Sequence, residues 1–362
     1  MSEQQAAHFL LGSNSPQGFV SHFDQLTDGT DGWRKYIIKG GPGSGKSTMM
    51  RKISEHFASL EQELIFCSSD LDSLDGVIIP ALKFCIADGT APHVIEPQYP
   101  GALESIIDIA ACWDEGALYQ NRKDIIALND AISGCHAQCC RFLGAAASLS
   151  GDTYRLTLEA VDTEKLAGYC KRLAEKEFCP VKKGPGTEKI RLLSAVTNQG
   201  VHVFTDTVRQ ICDRVYVLND DYGAVSRILL HTLRSKALAA GYDIVCSYCP
   251  LGPHEKLEGL LIPERRLGFV TSNRQHDFSL SLHPYRTINS QRFLNAGILK
   301  KSKRRFSFNR RAVAQMVHQA EFLLRDAKAL HDELEHYYIS ATDFKKVNQL
   351  TKRIIAKVEA FS

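Results

Sequence analysis

The feature that most constrains this chain is a glycine-rich run at residues 40–47, Gly-Gly-Pro-Gly-Ser-Gly-Lys-Ser, set between a short apolar segment and an apolar helical pattern. The run fits the motif G-x-x-x-x-G-K-[ST] at every fixed position. Glycines let the backbone turn tightly and aim N–H groups at an anion, and the helix that follows offers the positive end of its dipole. The run, called the glycine-rich loop below, therefore predicts a phosphate-binding P-loop.

The end of the glycine-rich loop carries the most specific chemistry. Lys46 is placed to reach the β- and γ-phosphates of a nucleoside triphosphate, and the Ser47 hydroxyl to take a position on magnesium. The predicted cofactors are ATP and Mg²⁺, with ATP favoured over GTP because the sequence has no N-K-x-D element. The predicted cofactor-binding residues are Gly40, Gly41, Pro42, Gly43, Ser44, Gly45, Lys46, Ser47 and Thr48.

Asp88, further along the chain, is a candidate ligand of the metal ion. Asp88 closes an apolar strand predicted over Lys83–Ala87, and a carboxylate at the end of a buried strand downstream of a P-loop holds magnesium. Ser47 and Asp88 are therefore the predicted metal residues; the alternative for Asp88 is the start of a turn. Many rapid ATPases have a glutamate where this chain has Gly89. Its absence predicts slow hydrolysis, a base from elsewhere, or a substrate that brings its own nucleophile.

Further catalytic candidates lie in loops expected at the carboxyl edge of the sheet. Asp70, Asp72 and Asp75 follow the strand predicted at Glu63–Cys67, where they could orient water, hold metal or bind a substrate. The alternative is a solvated, helix-capping turn. His93 is expected near the γ-phosphate, unless it is a structural histidine. With Lys46, these four are the predicted catalytic residues.

The chain also contains an internal repeat. The segment that begins at Tyr36 and the one that begins at Tyr216 share a strand–turn–helix pattern, at an offset of 216 − 36 = 180 residues. Further matches keep the same order: Gln17-Gly18 with Gln199-Gly200, Cys67 with Cys246, Asp75–Pro80 with Glu258–Pro263, and His93 with His276. The repeat predicts two domains, 1–183 and 184–362, joined by a flexible linker at Pro180–Thr187.

Each half alternates strands with helices and then becomes helical. This order predicts an α/β fold of two duplicated P-loop NTPase-like domains, each a three-layer αβα structure around a parallel sheet covered on both faces. Apolar residues at spacings of three and four between Ile125 and Ala146 predict a helix. A second helix near Thr163–Lys176 is expected to fold back against it. The second half repeats this pattern, so each domain is predicted to have an attached helical hairpin.

The second copy of the loop has lost the residues that bind phosphate. Aligned without gaps, Gly40, Gly45, Lys46 and Ser47 become Asp220, Val225, Ser226 and Arg227. Asp220 and Asp221 would repel phosphate, and the position opposite Asp88 falls near Thr271. The second half is therefore predicted to be a pseudo-domain that supports or regulates the first.

Charge is distributed unevenly along the chain. Residues 1–180 carry 15 basic and 24 acidic side chains, a balance of −9, and the remainder carries 44 − 15 = 29 against 41 − 24 = 17, a balance of +12. Such a split favours attraction between the two halves or binding of an acidic partner. The alternative is that surface charge varies along the chain under weak constraint. The basic run Lys300–Arg311 would bind nucleic acid, deliver an arginine to the phosphates of the first site, or form a solvated face.

Cysteine usage and the N-terminus bear on location. The 11 cysteines are scattered and expected to be reduced, and Cys246 and Cys249 have redox or metal spacing without a second such pair. The N-terminus lacks the pattern of a signal peptide, and no apolar stretch is long enough to span a bilayer. A cytoplasmic protein without a membrane partner is therefore expected.

Three segments, residues 39–47, 67–76 and 88–93, together resemble a little-characterised family of bacterial ATPases with tandem P-loop domains. The resemblance covers nearly the whole chain and implies an ATP-binding, ATPase-like protein without an established substrate. The chain departs from the family at Asp220–Arg227, which argues against a two-site alternating mechanism. Three functions stay open: a slow ATPase that acts as a conformational switch, a small-molecule or nucleotide kinase, and a nucleic-acid-associated ATPase.

Overall fold

The structure is a computed structural model that describes residues 6–27, 32–181, 184–274, 277–278 and 283–360 of the 362-residue chain. His276, which the repeat aligns with His93, lies outside the described residues, as do residues 182–183 of the predicted linker. Linker residues on both sides of this gap form backbone hydrogen bonds. The amides of Val181 and Gly186 donate to the carbonyls of Ala240 and Leu238.

The first half of the chain forms a six-stranded sheet in the order β1-β5-β6-β7-β4-β8. Its strands are β1 (Ala7–Phe9), β4 (Arg34–Lys39), β5 (Glu63–Phe66), β6 (Leu74–Ile79), β7 (Phe84–Asp88) and β8 (Glu104–Asp108). Strand β4 is parallel to both of its neighbours, so the loops after β4 and β7 open at the same edge. The α/β class is confirmed.

The expectation of a parallel sheet is wrong at β6, which runs antiparallel to both β5 and β7. The pairing of β5 with β6 shifts register between Ile65 and Phe66, and Asp75 is the extra residue at this bulge. A carboxylate followed by Gly76 interrupts the apolar pattern of the strand, and this interruption conceals it in the sequence.

One face of the first sheet is covered by two helices from opposite ends of the chain, α1 (Lys46–His56) and α9 (Phe344–Glu359). Both helices are amphipathic, and their apolar sides meet the sheet in one buried cluster. The cluster includes Tyr36, Ile38, Met49, Met50, Ile53, Val77, Ile79, Val347, Ile354 and Val358. This packing fixes the start of α1, and with it the end of the glycine-rich loop.

The second half forms a six-stranded sheet in the equivalent order, β16-β12-β15-β14-β13-β9. Its strands are β9 (Glu188–Ile190), β12 (Arg214–Asn219), β13 (Ile244–Tyr248), β14 (Leu257–Ile262), β15 (Leu267–Ser272) and β16 (Arg286–Asn289). Strand β14 is antiparallel to both of its neighbours, as β6 is in the first sheet. Two small hairpins complete the strands: β2 (Gly12–Ser15) with β3 (Gly18–Ser21), and β10 (Ser194–Thr197) with β11 (Gly200–Val203).

The backbone repeats several unusual features in the two halves. Gly18 and Gly200, at the two hairpin turns, both have left-handed φ angles, of 102° and 107°. Lys83 and Arg266, which precede β7 and β15, both have φ of 46° although neither is glycine. Glu258 sits at a bulge of β14, as Asp75 does in β6. These shared departures support the predicted duplication.

The remaining helices are α2 (Glu115–Gln120), α3 (Arg122–Leu158), α4 (Thr163–Glu177), α5 (Thr205–Ile211), α6 (Ala224–Ala239), α7 (Ala296–Lys301) and α8 (Lys303–Ala341). Within the described ranges, no helix has both the length and the apolar composition to cross a membrane.

The chain divides into two compact units, and both are discontinuous in sequence. The first comprises the described residues of Met1–Ser13, Ser21–Cys139 and Phe322–Ser362, and the second those of Asn14–Val20 and Cys140–Glu321. The halves 1–183 and 184–362 describe the repeat, whereas each compact unit contains helical segments from both halves.

Equivalent backbone hydrogen bonds join segments from the two halves of the chain within each unit. In the first unit, the amide of Asp114 donates to the carbonyl of Ala341, and the amide of Asp343 to that of Cys112. In the second unit, Asp162 donates to Phe293 and Asn295 to Ala160 in the same arrangement. Helix α4 packs on α6 of the second unit. The helical hairpin predicted to stay with its own half is therefore shared between the two units.

Candidate functional site

The glycine-rich loop joins β4 to α1 in the first unit. Gly43 and Gly45 adopt left-handed φ angles of 65° and 87°, which side chains rarely allow, and Gly45 caps α1. The Ser44 hydroxyl donates a 2.6 Å hydrogen bond to the carbonyl of Gly41 and closes the turn. The motif glycines at Gly43 and Gly45 are therefore required by the backbone that the loop adopts.

The loop presents a set of free backbone donors. No described residue accepts a hydrogen bond from the amides of Gly41, Gly43, Ser44, Gly45, Lys46, Ser47 or Thr48. The last of these amides form the first turn of α1, where the helix dipole is positive. This arrangement suits an anion with several acceptor oxygens.

Lys46 adds a full positive charge to these donors. Its Nζ donates to the carbonyls of Gly40 and Gly41, at 2.8 and 2.7 Å, and lies 3.5 Å from Oδ2 of Asp88. The ammonium is therefore held over the loop by three oxygens.

Ser47 and Asp88, the predicted metal residues, lie on adjacent elements. The Ser47 Oγ accepts a 3.0 Å hydrogen bond from the amide of Leu74, which leaves one of its lone pairs for another partner. Asp88 ends β7 and pairs in register with Ile38 of β4. Its Oδ1 accepts bonds from the amide and hydroxyl of Thr90, so both the turn role and the proximity to Lys46 are present together.

Asp75, Asp88 and His93 form a buried cluster in which one ligand atom from each lies within 4.8 Å of the others. Burial, reinforced by the charge of Asp88, raises the pKa of Asp75 well above its ordinary value. Burial also lowers the pKa of His93, whose ring stacks on Phe23 with centroids 4.6 Å apart. The cluster therefore combines two carboxyls and a neutral imidazole beside Lys46.

The structure separates the other two acidic candidates from this cluster. Asp70 accepts bonds from the amide of Asp72 and the hydroxyl of Ser73, and lies 3.7 Å from the ammonium of Lys328. Asp72 has an exposed side chain, and its carbonyl accepts a bond from Arg51. Asp70 thus caps the turn that leads into β6 rather than a helix, and Asp75 is the candidate that the fold brings to Asp88.

Residues of α8 that sequence reasoning missed lie against the glycine-rich loop within the first unit. A Cβ on Gly41 would lie 2.4 Å from Cε1 of Tyr338, and one on Gly43 would lie 3.0 Å from Cβ of Glu335. With Lys328, these side chains come from the opposite half of the chain. No motif marks residues 322–341, so the sequence offered no signal for them.

The corresponding loop of the second unit is two residues shorter. Helix α6 begins at Ala224 after Gly223, whose φ is 77°, just as α1 begins at Lys46 after Gly45. The gap-free alignment is therefore wrong here: Ala224 and Val225, rather than Ser226 and Arg227, stand in the places of Lys46 and Ser47. Strand register does make Thr271 the equivalent of Asp88 in the second sheet, as predicted.

Asp220 supplies the anion in the second loop. Its buried carboxylate accepts bonds from the amides of Tyr222 and Ser226, at 3.2 and 2.8 Å. The amide donors that the first loop leaves free are here partly satisfied from within the chain.

The cysteine pattern gives no metal site among the described residues, since neither of their ligand clusters contains a cysteine. Cys246 and Cys249 are buried, and burial raises the pKa of both thiols. Strand register also corrects the repeat alignment, because the residue equivalent to Cys67 is Cys249.

One arginine of the basic run Lys300–Arg311 has a carboxylate partner within the second unit. Arg305 binds Asp152 of α3 through Nε and Nη2 within the second unit, and Arg304 is exposed. Other members of the basic run line a cavity in that unit, described below.

Comparisons of the chain with protein families, with curated proteins and with solved structures each found no match.

Proposed function

We propose that the first unit binds a nucleoside triphosphate, ATP with Mg²⁺, and that the chain is a slow ATPase that acts as a conformational switch. The observation that carries this proposal is the position of Lys46, held 3.5 Å from Asp88 above a loop whose amides have no acceptor among the described residues. The resemblance to ATPases with tandem P-loop domains supports the same assignment.

The residues present fit the proposed cofactor. The free amides and Lys46 would bind the phosphates, and the Ser47 hydroxyl and Asp88 would hold the metal ion. When bound, Mg²⁺ would neutralise charge on the phosphate oxygens. Asp75 would accept a proton from water in place of the glutamate that Gly89 replaces, because it lies beside Asp88 and its raised pKa makes its ionised form a stronger base.

Slow turnover follows from the same site. Asp75 reaches the cluster from a bulge in β6, and no described arginine forms a bond to the glycine-rich loop. Arginines that stabilise transition-state charge account for large rate factors in this chemistry. We expect turnover well below the typical enzyme value of about ten per second.

Calorimetric titration with ATP, with and without Mg²⁺, tests the proposal. We expect a magnesium-dependent binding event that Lys46→Ala abolishes. Lys52→Ala is the matched control, because Lys52 lies on the same helix with an exposed side chain that bonds to Asn348. Equal loss in both variants, or magnesium-dependent binding retained in Lys46→Ala, would refute the assignment.

Turnover assays separate the alternatives. Phosphate release with water alone supports the switch. A rate that requires an added hydroxyl acceptor would make the chain a kinase, and stimulation by polynucleotide would make it a nucleic-acid-associated ATPase.

A further inference from the structure

The second unit contains a cavity of about 560 Å³ at the carboxyl ends of β12 and β15. Its walls come from the shortened loop at Asp220–Gly223, from α6, from α3 and from the start of α8. Ligands in α/β proteins bind at this edge of the sheet. We call it the basic cavity.

The lining of the basic cavity is strongly cationic. Six basic side chains line it, against the two carboxylates of Asp220 and Asp221: Arg227, Lys256, Arg274, Lys300, Lys303 and Arg310. Both carboxylates are engaged, Asp220 by amides of its own loop and Asp221 by Arg274 at 3.5 Å. The lining of the cavity therefore carries a net positive charge.

Three of the cations have no partner of opposite charge among the residues that the structure describes. No described acidic residue forms an ion pair with Lys300, Lys303 or Arg310, and all three residues are exposed. These three residues belong to the basic run Lys300–Arg311. The run therefore contributes to a concave site in addition to an exposed helical face.

Arg227 contacts two neighbouring side chains. Its guanidinium lies 4.3 Å from the ring centroid of Tyr154, and Nη1 is 3.6 Å from the exposed carboxylate of Glu255. Its Nε is buried and has no hydrogen-bond partner among the described residues. A planar guanidinium held against a ring, with a donor to spare, suits the oxygens of a phosphate.

We propose that the basic cavity binds a phosphorylated small molecule, at a site separate from the glycine-rich loop. A multiply charged phosphate ester matches the number of cations, whereas a single carboxylate would need only one or two of them. The volume falls within the range of small-molecule sites, roughly 300–1,000 Å³. A nucleic-acid strand would instead follow a continuous basic groove. The unit that lost its P-loop residues thus keeps a binding site for phosphate at the same sheet edge.

Calorimetric titration of the full-length Lys46→Ala chain, without magnesium, tests this proposal separately from the first site. The probes are inorganic pyrophosphate and ADP, with citrate as a polyanion that lacks phosphate. The test variant is Lys303→Gln/Arg310→Gln. The matched control, Lys301→Gln/Arg304→Gln, removes two exposed cations of the same run that do not line the cavity.

We expect pyrophosphate or ADP to bind, with a dissociation constant at least tenfold higher in the test variant and less than twofold higher in the control. Absence of binding at millimolar probe, equal losses in both variants, or citrate that binds as tightly as pyrophosphate would overturn the proposal. So would tighter binding of a single-stranded oligonucleotide with losses in both variants. None of these results would affect magnesium-dependent ATP binding by the unaltered chain, which tests the first site alone.

Discussion

The carboxylate of Asp220 accepts a hydrogen bond from the amide of Ser226 over 2.8 Å, inside the first turn of α6. Asp220 is only 4% exposed, so little water competes for the bond. An internal anion at a helix N-terminus neutralises the positive end of the helix and satisfies its donors. Backbone donors of the second loop are therefore partly satisfied within the chain, whereas those of the glycine-rich loop have no acceptor among the described residues.

Removal of this carboxylate tests its capping role. We expect Asp220→Ala to lower the free energy of unfolding by about 1–2 kcal/mol, the usual cost of a lost helix cap. The control is Asp221→Ala, whose side chain is 44% exposed and 3.5 Å from Arg274, and which should cost less than about 0.5 kcal/mol. Urea denaturation of each variant gives the comparison, and equal costs would show that Asp220 does not act as a cap.

The substitution Asp75→Asn, which replaces the carboxylate by a side-chain amide, tests the role assigned to Asp75. We expect Asp75→Asn to lower ATP turnover by about a hundredfold or more, because proton transfer from water would lose its acceptor. The dissociation constant of Mg-ATP should change less than threefold. Asp72→Asn, in the preceding exposed turn, should leave both quantities unchanged. Loss of affinity in proportion to turnover would instead assign Asp75 to metal binding.

Local chemistry in this chain could be predicted from the sequence, because it depends on residues close together along it. The glycine-rich loop, the strand that ends at Asp88 and the helix after Gly45 all follow from motif and pattern. Strand β6 was missed because its bulge places Asp75 and Gly76 where apolar alternation would be needed. The two-residue shortening before α6 was missed because a gap-free alignment also gave a reasonable turn.

Which helix packs against which sheet could not be predicted from the sequence, for a different reason. The apolar faces of α4 and α9 predict that each helix is buried, but not against which sheet. Two similar sheets are available in a duplicated chain, and burial against either satisfies the same pattern. The contact of Tyr338 with Gly41 depends on this choice, so no local signal could indicate it.

The close approach of Gly41 and Tyr338 gives a second test of the loop. A methyl on Gly41 would lie 2.4 Å from Cε1 of Tyr338, far inside normal contact, so either the ring or the loop must move. We expect Gly41→Ala to reduce Mg-ATP affinity at least tenfold and stability by about 1–3 kcal/mol, the usual cost of overpacking. Adding Tyr338→Ala should restore most of the affinity.

Gly144→Ala is the control for this substitution. Gly144 lies within α3, and nothing approaches within 4 Å of the position that a Cβ would take. This variant should be more stable by about 0.5–1 kcal/mol, because alanine is the better helix former. If Gly41→Ala were as well tolerated as Gly144→Ala, the packing of α8 on the loop would be wrong.

A buried carboxylate in the second unit makes its stability depend on pH. Glu177 is 1% exposed, and it accepts hydrogen bonds from the Tyr216 hydroxyl at 2.6 Å and from Arg214 at 2.9 Å. Burial alone would raise the pKa of Glu177, but the Tyr216 and Arg214 interactions outweigh it and hold the pKa below its ordinary value of 4.5. The ionised form is therefore favoured by folding.

Because the pKa of Glu177 is lower in the folded than in the unfolded chain, its contribution to stability is complete above pH 4.5 and is lost as the pH falls through the lowered value. We expect Glu177→Gln to lower the free energy of unfolding by about 2–3 kcal/mol at pH 7, which is the usual cost of losing hydrogen bonds to a charged group. This difference should shrink steadily below pH 4.5 in urea denaturation followed by circular dichroism. Glu175→Gln, whose side chain is 63% exposed, should show neither the cost nor the trend. A cost that stays constant from pH 7 to pH 3 would mean that Glu177 acts through packing rather than through its charge.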